Sequence, residues 1–465
     1  MFRLLLLLCL LSTLVVSAQK PDRYSPKPYV ELRHPEWSRN AVLYQVNIRQ
    51  YTAEGTFKAF AAHLPRLKAL GVDILWLMPI QPIGVEKRKG TLGSEYSVRD
   101  YYGVNPEFGS MQEFKDLVKA VHAQGMHLIL DWVANHSAWD NPLAKQHPDW
   151  YTHTGEGAFQ PTPWYDWDDV IDFDYDKPAL RRYMTDALKW LVKETGIDGY
   201  RCDVAGFIPL DFWDNVRKEL DAIKPVFLLA EWEARDMHKR AFDATYSWSL
   251  YETLRRVRKE EPGAFPALVE YLAHDVNTWP DDAYRMLFTD NHDKNSWTGT
   301  PFTQFGPALE ACIAFTYVCK GIPLIYNGQE AGSDKMLRFF DKDTIQWKAH
   351  RFDTLYSELN YLKHRSKLLA NGAAGGQMLR VRTSNSDKVV AFARMKDDEE
   401  VLAVFNFSAQ RVQVKMELLP GMKRGTYALL HPKTYAIPGM DASATLDRDD
   451  VTIWLEPWQW EIYWR

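Results

Sequence analysis

The chain has 465 residues, of which 46% are hydrophobic and 25% charged, and a formal net charge of −5. That is an ordinary globular composition, long enough for a large barrel plus an accessory domain. The slight acidity excludes a strongly basic nucleic-acid-binding surface. With 18 Trp and 23 Tyr, the chain can furnish a core and still leave rings free to stack on sugar faces.

In chain order, the amino terminus predicts an export leader. Arg3 precedes an apolar run, residues 4–16, that is too short to span a bilayer comfortably. Val16, Ser17 and Ala18 supply the small residues for cleavage near Ala18. A secreted or periplasmic protein follows, with an uncleaved anchor as the alternative. Once Cys9 is removed with the leader, Cys202, Cys312 and Cys319 remain. That odd, sparse set is neither a disulfide framework nor a zinc spacing. Residues 19–40, with Pro21, Pro26, Pro28 and Pro35, read as an extended lead-in.

From residue 41 a strand–helix cadence begins. Residues 41–48 predict a strand. Thr56 caps a helix bearing Phe57, Phe60, Leu64 and Leu67 on one face, with a kink at Pro65, and Gly71 ends it. Residues 72–78 are the second strand. Ser110 and Glu113 form a capping box ahead of a helix carrying Phe114, Leu117, Val118 and Val121. Residues 126–133 are the third strand. Asp176 and Pro178 open a helix with Leu180, Met184, Leu188 and Leu191. Strands follow at 197–203, 225–231, 242–248, 284–289 and 321–327. Eight alternating units predict a (β/α)8 barrel over residues 41–372. The connection 137–175 is too long for a simple loop and predicts a short inserted subdomain over the barrel mouth. Beyond residue 376 the period changes to two. Strands at 389–393, 401–405, 412–416 and 451–455 predict an antiparallel β-sandwich domain over residues 376–465.

In a parallel barrel, chemistry sits at the C-terminal ends of the strands. Strand three runs into Asp131 and continues to Asn135 and His136. Strand four ends at Arg201 and Asp203, strand five at Glu231, and strand seven at His292 and Asp293. Arg201-x-Asp203 taken alone is an ordinary ion pair, since alternate strand residues share a face. Carboxylates gathered at one rim are another matter. Glycoside hydrolysis needs one carboxylate to attack the anomeric carbon and another to protonate the leaving oxygen. A third can stabilise the oxocarbenium-like charge. His136 and His292 are suited to hold sugar hydroxyls.

Those strand ends carry a resemblance. Asp131-Trp132-Val133-Ala134-Asn135-His136, Gly199-Tyr200-Arg201-Cys202-Asp203, Leu229-Ala230-Glu231-Trp232 and Phe288-Thr289-Asp290-Asn291-His292-Asp293 resemble, in order, four sequence blocks of the alpha-amylase family, glycoside hydrolase family 13. Gly93-Ser94-Glu95-Tyr96 is similar to the family segment whose tyrosine stacks on the sugar at the cleavage point. The resemblance implies a retaining hydrolase of α-1,4-glucosidic bonds in starch-derived glucans. Asp203 would be the nucleophile, Glu231 the general acid/base and Asp293 the transition-state stabiliser. Tyr96, His136, Arg201 and His292 would be substrate-side residues, with Arg201 positioning Asp203 and keeping it ionised. No organic cofactor is implied. Asn135 and Asp172, the latter in a degenerate fifth block, are the candidate ligands of a structural calcium ion, together with backbone oxygens.

The sequence departs from the family three and four residues after Asp203, where a Lys-His pair is common and Gly206-Phe207 stands instead. Phe207 and Trp232 are therefore expected to build an apolar side for the leaving-group sugars, the alternative being barrel packing. This leaves room for a maltodextrin, cyclodextrin or pullulan hydrolase, or a transglycosylase. A non-catalytic glycan-binding protein is the reading from another class, and it has no need of three rim carboxylates.

Overall fold

The computed structural model describes residues 28–432 and 442–465; the predicted leader, residues 1–18, lies outside them. All eight predicted barrel strands form: β1 Leu43–Val46, β2 Ile74–Leu77, β3 His127–Trp132, β4 Gly199–Cys202, β5 Phe227–Ala230, β6 Ala244–Tyr246, β7 Tyr284–Leu287 and β8 Ile322–Tyr326. They close into a parallel barrel in chain order, β8 pairing back onto β1. Strand residues are buried almost without exception. A helix ring covers one face and the packed interior the other, so near-continuous apolar runs are what such strands require.

The helical signals translate into local geometry. Thr56 accepts the Ala59 N–H, and Ser110 and Glu113 make a reciprocal capping box for helix Met111–Ala123. At Pro65 the expected kink is a complete break. Helix Phe57–Ala61 ends, and Leu64–Leu70 starts with Pro65 in its first turn, where a missing N–H leaves no bond unmade. Gly71 terminates that helix at φ +94°, a conformation open to glycine at little cost.

Between β3 and β4 the chain leaves the barrel. His136–Ala138 pairs antiparallel with Val170–Asp172, with the short helix Pro142–Gln146 between them. This hairpin stands directly on the C-terminal end of β3.

The carboxy-terminal region is two antiparallel sheets. Six strands run in the order Gln377–Arg380, Val389–Lys396, Glu399–Asn406, Trp460–Trp464, Gly425–Leu430 and Ser443–Leu446. Three more form a second sheet: Arg382–Thr383, Val412–Glu417 and Asp450–Leu455. Ala391, Leu402 and Val404 of the first meet Val414, Met416 and Leu455 of the second in one core. The other face of the larger sheet lies on the barrel, where Phe392 and Phe405 meet Phe315 edge-on. Phe315 belongs to helix Leu309–Val318, which is apolar nearly all round because it is covered on both sides. Cys202, Cys312 and Cys319 are free and buried. Among the described residues, no helix is long and apolar enough to cross a membrane.

Candidate active site

Register places the acids. Asp131 on β3 is the direct partner of Arg201 on β4, and both point into the barrel at its C-terminal end. The Arg201 guanidinium is fully buried and holds three carboxylates: Nη1 lies 2.8 Å from Asp131 Oδ1 and 2.8 Å from Asp203 Oδ1, and Nη2 lies 2.8 Å from Glu231 Oε1. Asp131, Asp203 and Glu231 come from three consecutive strands or strand ends. Beneath them Trp76 faces the guanidinium at 5.3 Å, and the Arg201 Nε–H donates to the Tyr246 hydroxyl at 3.3 Å.

One cation facing three anions sets the electrostatics. Burial pushes the Asp203 carboxyl well above its ordinary range, the Arg201 charge opposes this, and the charges of Glu231 and Asp131 add to the rise. Burial likewise raises Asp131, to about 6. These groups titrate as a unit that retains a proton towards neutral pH. The expectation that Arg201 simply keeps Asp203 ionised is corrected on this point, because that guanidinium is shared three ways. A second correction concerns Arg201 itself. It lies wholly beneath the carboxylates and touches them rather than the open cleft.

The turn after Asp203 is strained. Val204 sits in the left-handed region at φ +34°, a costly place for a β-branched residue, on the order of 1–3 kcal/mol. Its N–H donates to Glu231 Oε2 at 2.8 Å. Glu231 is thus gripped from both sides, by a guanidinium at Oε1 and a backbone amide at Oε2.

Asp203, Glu231 and Asp293 all line one cavity of about 510 Å³, together with Tyr96, His136 and His292. Its volume falls within the range of small-molecule sites. Gln45 fixes His292. Its Nε2 donates to the ring Nδ1 at 2.7 Å, and its Oε1 accepts the His292 backbone N–H at 3.2 Å. The ring therefore carries its proton on Nε2, facing the Tyr96 hydroxyl at 2.7 Å, and that hydroxyl donates onward to Asp131 Oδ2 at 3.0 Å. Burial holds His292 down to about 3 and His136 to about 4, so both imidazoles are neutral. His136 Nε2 stands 4.0 Å from Asp203 Oδ2. Asp293, with its side chain 40% exposed, reaches into the open cleft 3.4 Å from His292 Nε2.

Phe207 and Trp232 lie outside this cavity, as an edge-to-face pair 5.4 Å apart beside Glu231. Tyr165 from the inserted segment joins Phe207 at 5.7 Å and stacks on Trp167 at 4.3 Å. Gly206 is explained by the same packing. A β-carbon there would fall 2.0 Å from the Trp232 ring, so the indole lies on bare backbone where the family commonly carries lysine. Asn135 and Asp172 are brought together: the Asn135 amide and the Thr162 hydroxyl both donate to Asp172 Oδ1. Burial raises Asp172 to about 6, with no cation among the groups acting on it. Carboxylate, amide and hydroxyl oxygens are chemically suited to a hard cation.

Sequence reasoning treated Asp131 as part of a block and missed it as the third carboxylate on Arg201. Strand alternation put it on the same barrel face as the site. Gln45 carried no comparable signal, nor did Trp167 and Phe339, which line the same cavity, since their place depends on contacts between distant segments.

The geometry agrees with the comparisons to known proteins. The alpha-amylase catalytic domain profile matches residues 45–360, and the maltogenic amylase C-terminal domain profile matches residues 379–447. The crystal structure of a maltogenic alpha-amylase, AmyB, from Thermotoga neapolitana is 30% identical; 91% of this chain aligns with 98% of that one at a TM-score of 0.80. An alpha-amylase from Lactobacillus plantarum is also 30% identical, with 92% and 99% coverage and a TM-score of 0.79. The alpha-amylase MalA of Haloarcula japonica is 27% identical over 89% of this chain, which spans 62% of that protein's length. The beta/alpha-amylase of Paenibacillus polymyxa is 26% identical over 76% of this chain, which spans 30% of it.

Proposed function

The chain belongs to the alpha-amylase family of glycoside hydrolases, and on that premise we propose that it hydrolyses α-1,4-glucosidic bonds in starch-derived glucans or malto-oligosaccharides with retention of configuration. The observation that carries this reading is the seating of Asp203 and Glu231 on one buried guanidinium, with Asp293 in the same cavity. In the reactive form the proton held by the cluster sits on Glu231 and Asp203 is a carboxylate; an Asp203 oxygen attacks the anomeric carbon while Glu231 delivers that proton to the departing glycosidic oxygen, forming a covalent glycosyl–enzyme ester. Glu231, now a carboxylate, takes a proton from water, which attacks the same carbon and frees Asp203. Asp293 faces the positive charge that develops on the ring. Neutral His136 offers an N–H donor to a sugar hydroxyl, the His292 N–H is directed at the Tyr96 hydroxyl, and Tyr96 packs against the ring. NMR observation of the first-formed product tests the reading: an α-anomer is expected, and initial β-anomer overturns retention.

The apolar pair Phe207–Trp232 favours a second reading within the same chemistry, in which cyclodextrins are cleaved or the glycosyl group is passed to a sugar acceptor. Rates and products on starch, maltotriose and a cyclodextrin separate the two. A purely glycan-binding role would leave the native protein as inactive as its Asp203→Asn variant on all three.

Two further proposals concern the protein's setting. Residues 4–16 direct export and are cleaved near Ala18, which N-terminal sequencing of the mature protein tests. Asn135 and Asp172 hold a structural calcium ion, whose charge would offset the desolvation of Asp172. Excess chelator is then expected to lower Tm, and an unchanged Tm removes the proposal.

A further inference from the structure

The geometry points to a cleft that is closed at the end holding the non-reducing side of the substrate, so that this enzyme cuts short saccharides from chain ends instead of cleaving within the polymer. The inference rests on the hydrolase reading above and deepens it.

The two ends of the cleft are distinguished by the order of strands around the ring. The leaving group must lie beside Glu231, which follows β5, and past Phe207, which follows β4. The sugar that is attacked lies over Tyr96, after β2. Further sugar units on its non-reducing side must therefore run towards the arc formed by the loops after β7, β8 and β2. At the opposite end stand Phe207 and Trp232, joined by Tyr165 of the inserted segment.

The β2, β7 and β8 arc is filled. Residues 87–92 cross it as a strap anchored at both ends. On one side, Lys89 Nζ binds Asp168 Oδ1 of the inserted segment at 2.8 Å and lies 3.6 Å from Asp169 Oδ1. Lys87 caps the Trp139 ring at 3.1 Å. On the other side, the Thr91 N–H and hydroxyl donate to Asp341 Oδ1 at 2.8 and 2.6 Å, and the Leu92 N–H donates to the Phe340 carbonyl at 3.0 Å. Gly90 lies so close to Phe340 that a β-carbon would come within 2.5 Å of it, at φ +61°. Strap and β8 loop are therefore in van der Waals contact. Trp297, on the π-helical turn after Asp293, completes the wall against Phe339 at 5.3 Å. Lys89, Trp297, Phe339 and Phe340 all face the same cavity as the catalytic acids. A polymer entering mid-chain would have to pass through this wall. A chain end needs only the space in front of it.

The test compares maltoheptaose with maltoheptaose carrying an ethylidene block on its non-reducing glucose, using the full-length wild-type protein. Cleavage of the blocked substrate is expected to be at least tenfold slower, and the first product from the free substrate to be a single short saccharide. Equal rates, or a spread of initial product lengths, overturn the inference while leaving the hydrolase reading intact. Absence of cleavage on both substrates overturns the hydrolase reading instead. Lys89→Ala removes every contact of the strap lysine with the inserted segment, and Asp168→Asn removes its shortest ion pair while leaving Asp169 and the Asp166 carbonyl. Each is expected to raise the blocked-to-free rate ratio several-fold and to lengthen the products. Should both leave the ratio at the wild-type value, the strap is not the wall and the inference is overturned.

Discussion

Two buried ion clusters occupy opposite ends of the same barrel, and their charge ratios are inverted. At the C-terminal end one guanidinium, Arg201, serves Asp131, Asp203 and Glu231. At the N-terminal end one fully buried carboxylate, Asp243, accepts from Arg217 Nη1 at 2.8 Å, His34 Nδ1 at 2.7 Å and the Leu228 N–H at 2.8 Å, the further acids on these two cations, Asp221 and Asp282, being half-exposed. Burial acts upward on Asp243, but Arg217 and His34 outweigh it and hold the carboxyl below its ordinary value. Burial acts upward on Asp203 too, and there the single shared cation does not prevail. The lower cluster is a fully satisfied clasp. The upper one stores an excess of negative charge and a proton, which is what an acid/base site needs.

The sharpest way to break this contrast is to neutralise one acid in each cluster. Asp203→Asn and Glu231→Gln are each expected to lower kcat on maltoheptaose by on the order of 10³-fold or more, with Tm equal to or above the wild type for Asp203→Asn, whose burial the shared guanidinium does not offset. Asp243→Asn should do the reverse. Leaving Arg217 and His34 with only their half-exposed partners Asp221 and Asp282 is expected to cost about 3–5 kcal/mol in urea unfolding, while kcat per folded molecule stays within about twofold.

A smaller effect separates the clusters by pH. Burial pushes Asp131 up to about 6 in the folded protein against about 3.9 unfolded. The folded state holds this proton more tightly, so stability from this group falls as pH rises from about 4 to 6, by roughly 2 kcal/mol. Asp243 has the opposite sign: its contribution is complete above the unfolded carboxyl pKa and is lost as pH falls through its lowered folded value. Tm measured against pH should show Asp131→Asn losing the decline between pH 4 and 6, and Asp243→Asn losing the drop at more acidic pH. Parallel profiles in both variants would mean that the two clusters do not differ in the way described.

The barrel was legible because its signals are local. Each strand is a short apolar run between a helix stop and a polar rim, and each can be read within a window of about ten residues. Asp203, Glu231 and Asp293 were legible for the same reason: they sit at strand ends, and a closed parallel barrel brings all strand ends to one rim. In the carboxy-terminal region the alternation of Val412–Glu417 was equally plain. Gly425–Leu430 and Trp460–Trp464 alternate less cleanly, because the larger sheet is covered on both faces by the barrel and the second sheet.

What the amino-acid sequence alone determined was thus the kind of fold and the chemistry at its rim, since both follow from periodicity and from residue type at strand ends. Tertiary structure decided how charge is shared there. Whether Arg201 serves one acid or three depends on the registers of β4 with β3 and with β5, and no window within any one strand contains that information. The reason for Gly206 likewise came from the Trp232 ring lying on it, across a separation of 26 residues. The closed end of the cleft is assembled from four segments that meet only when the barrel closes, because side-chain contact energies fall off within a few ångströms and only the completed fold brings such segments that near.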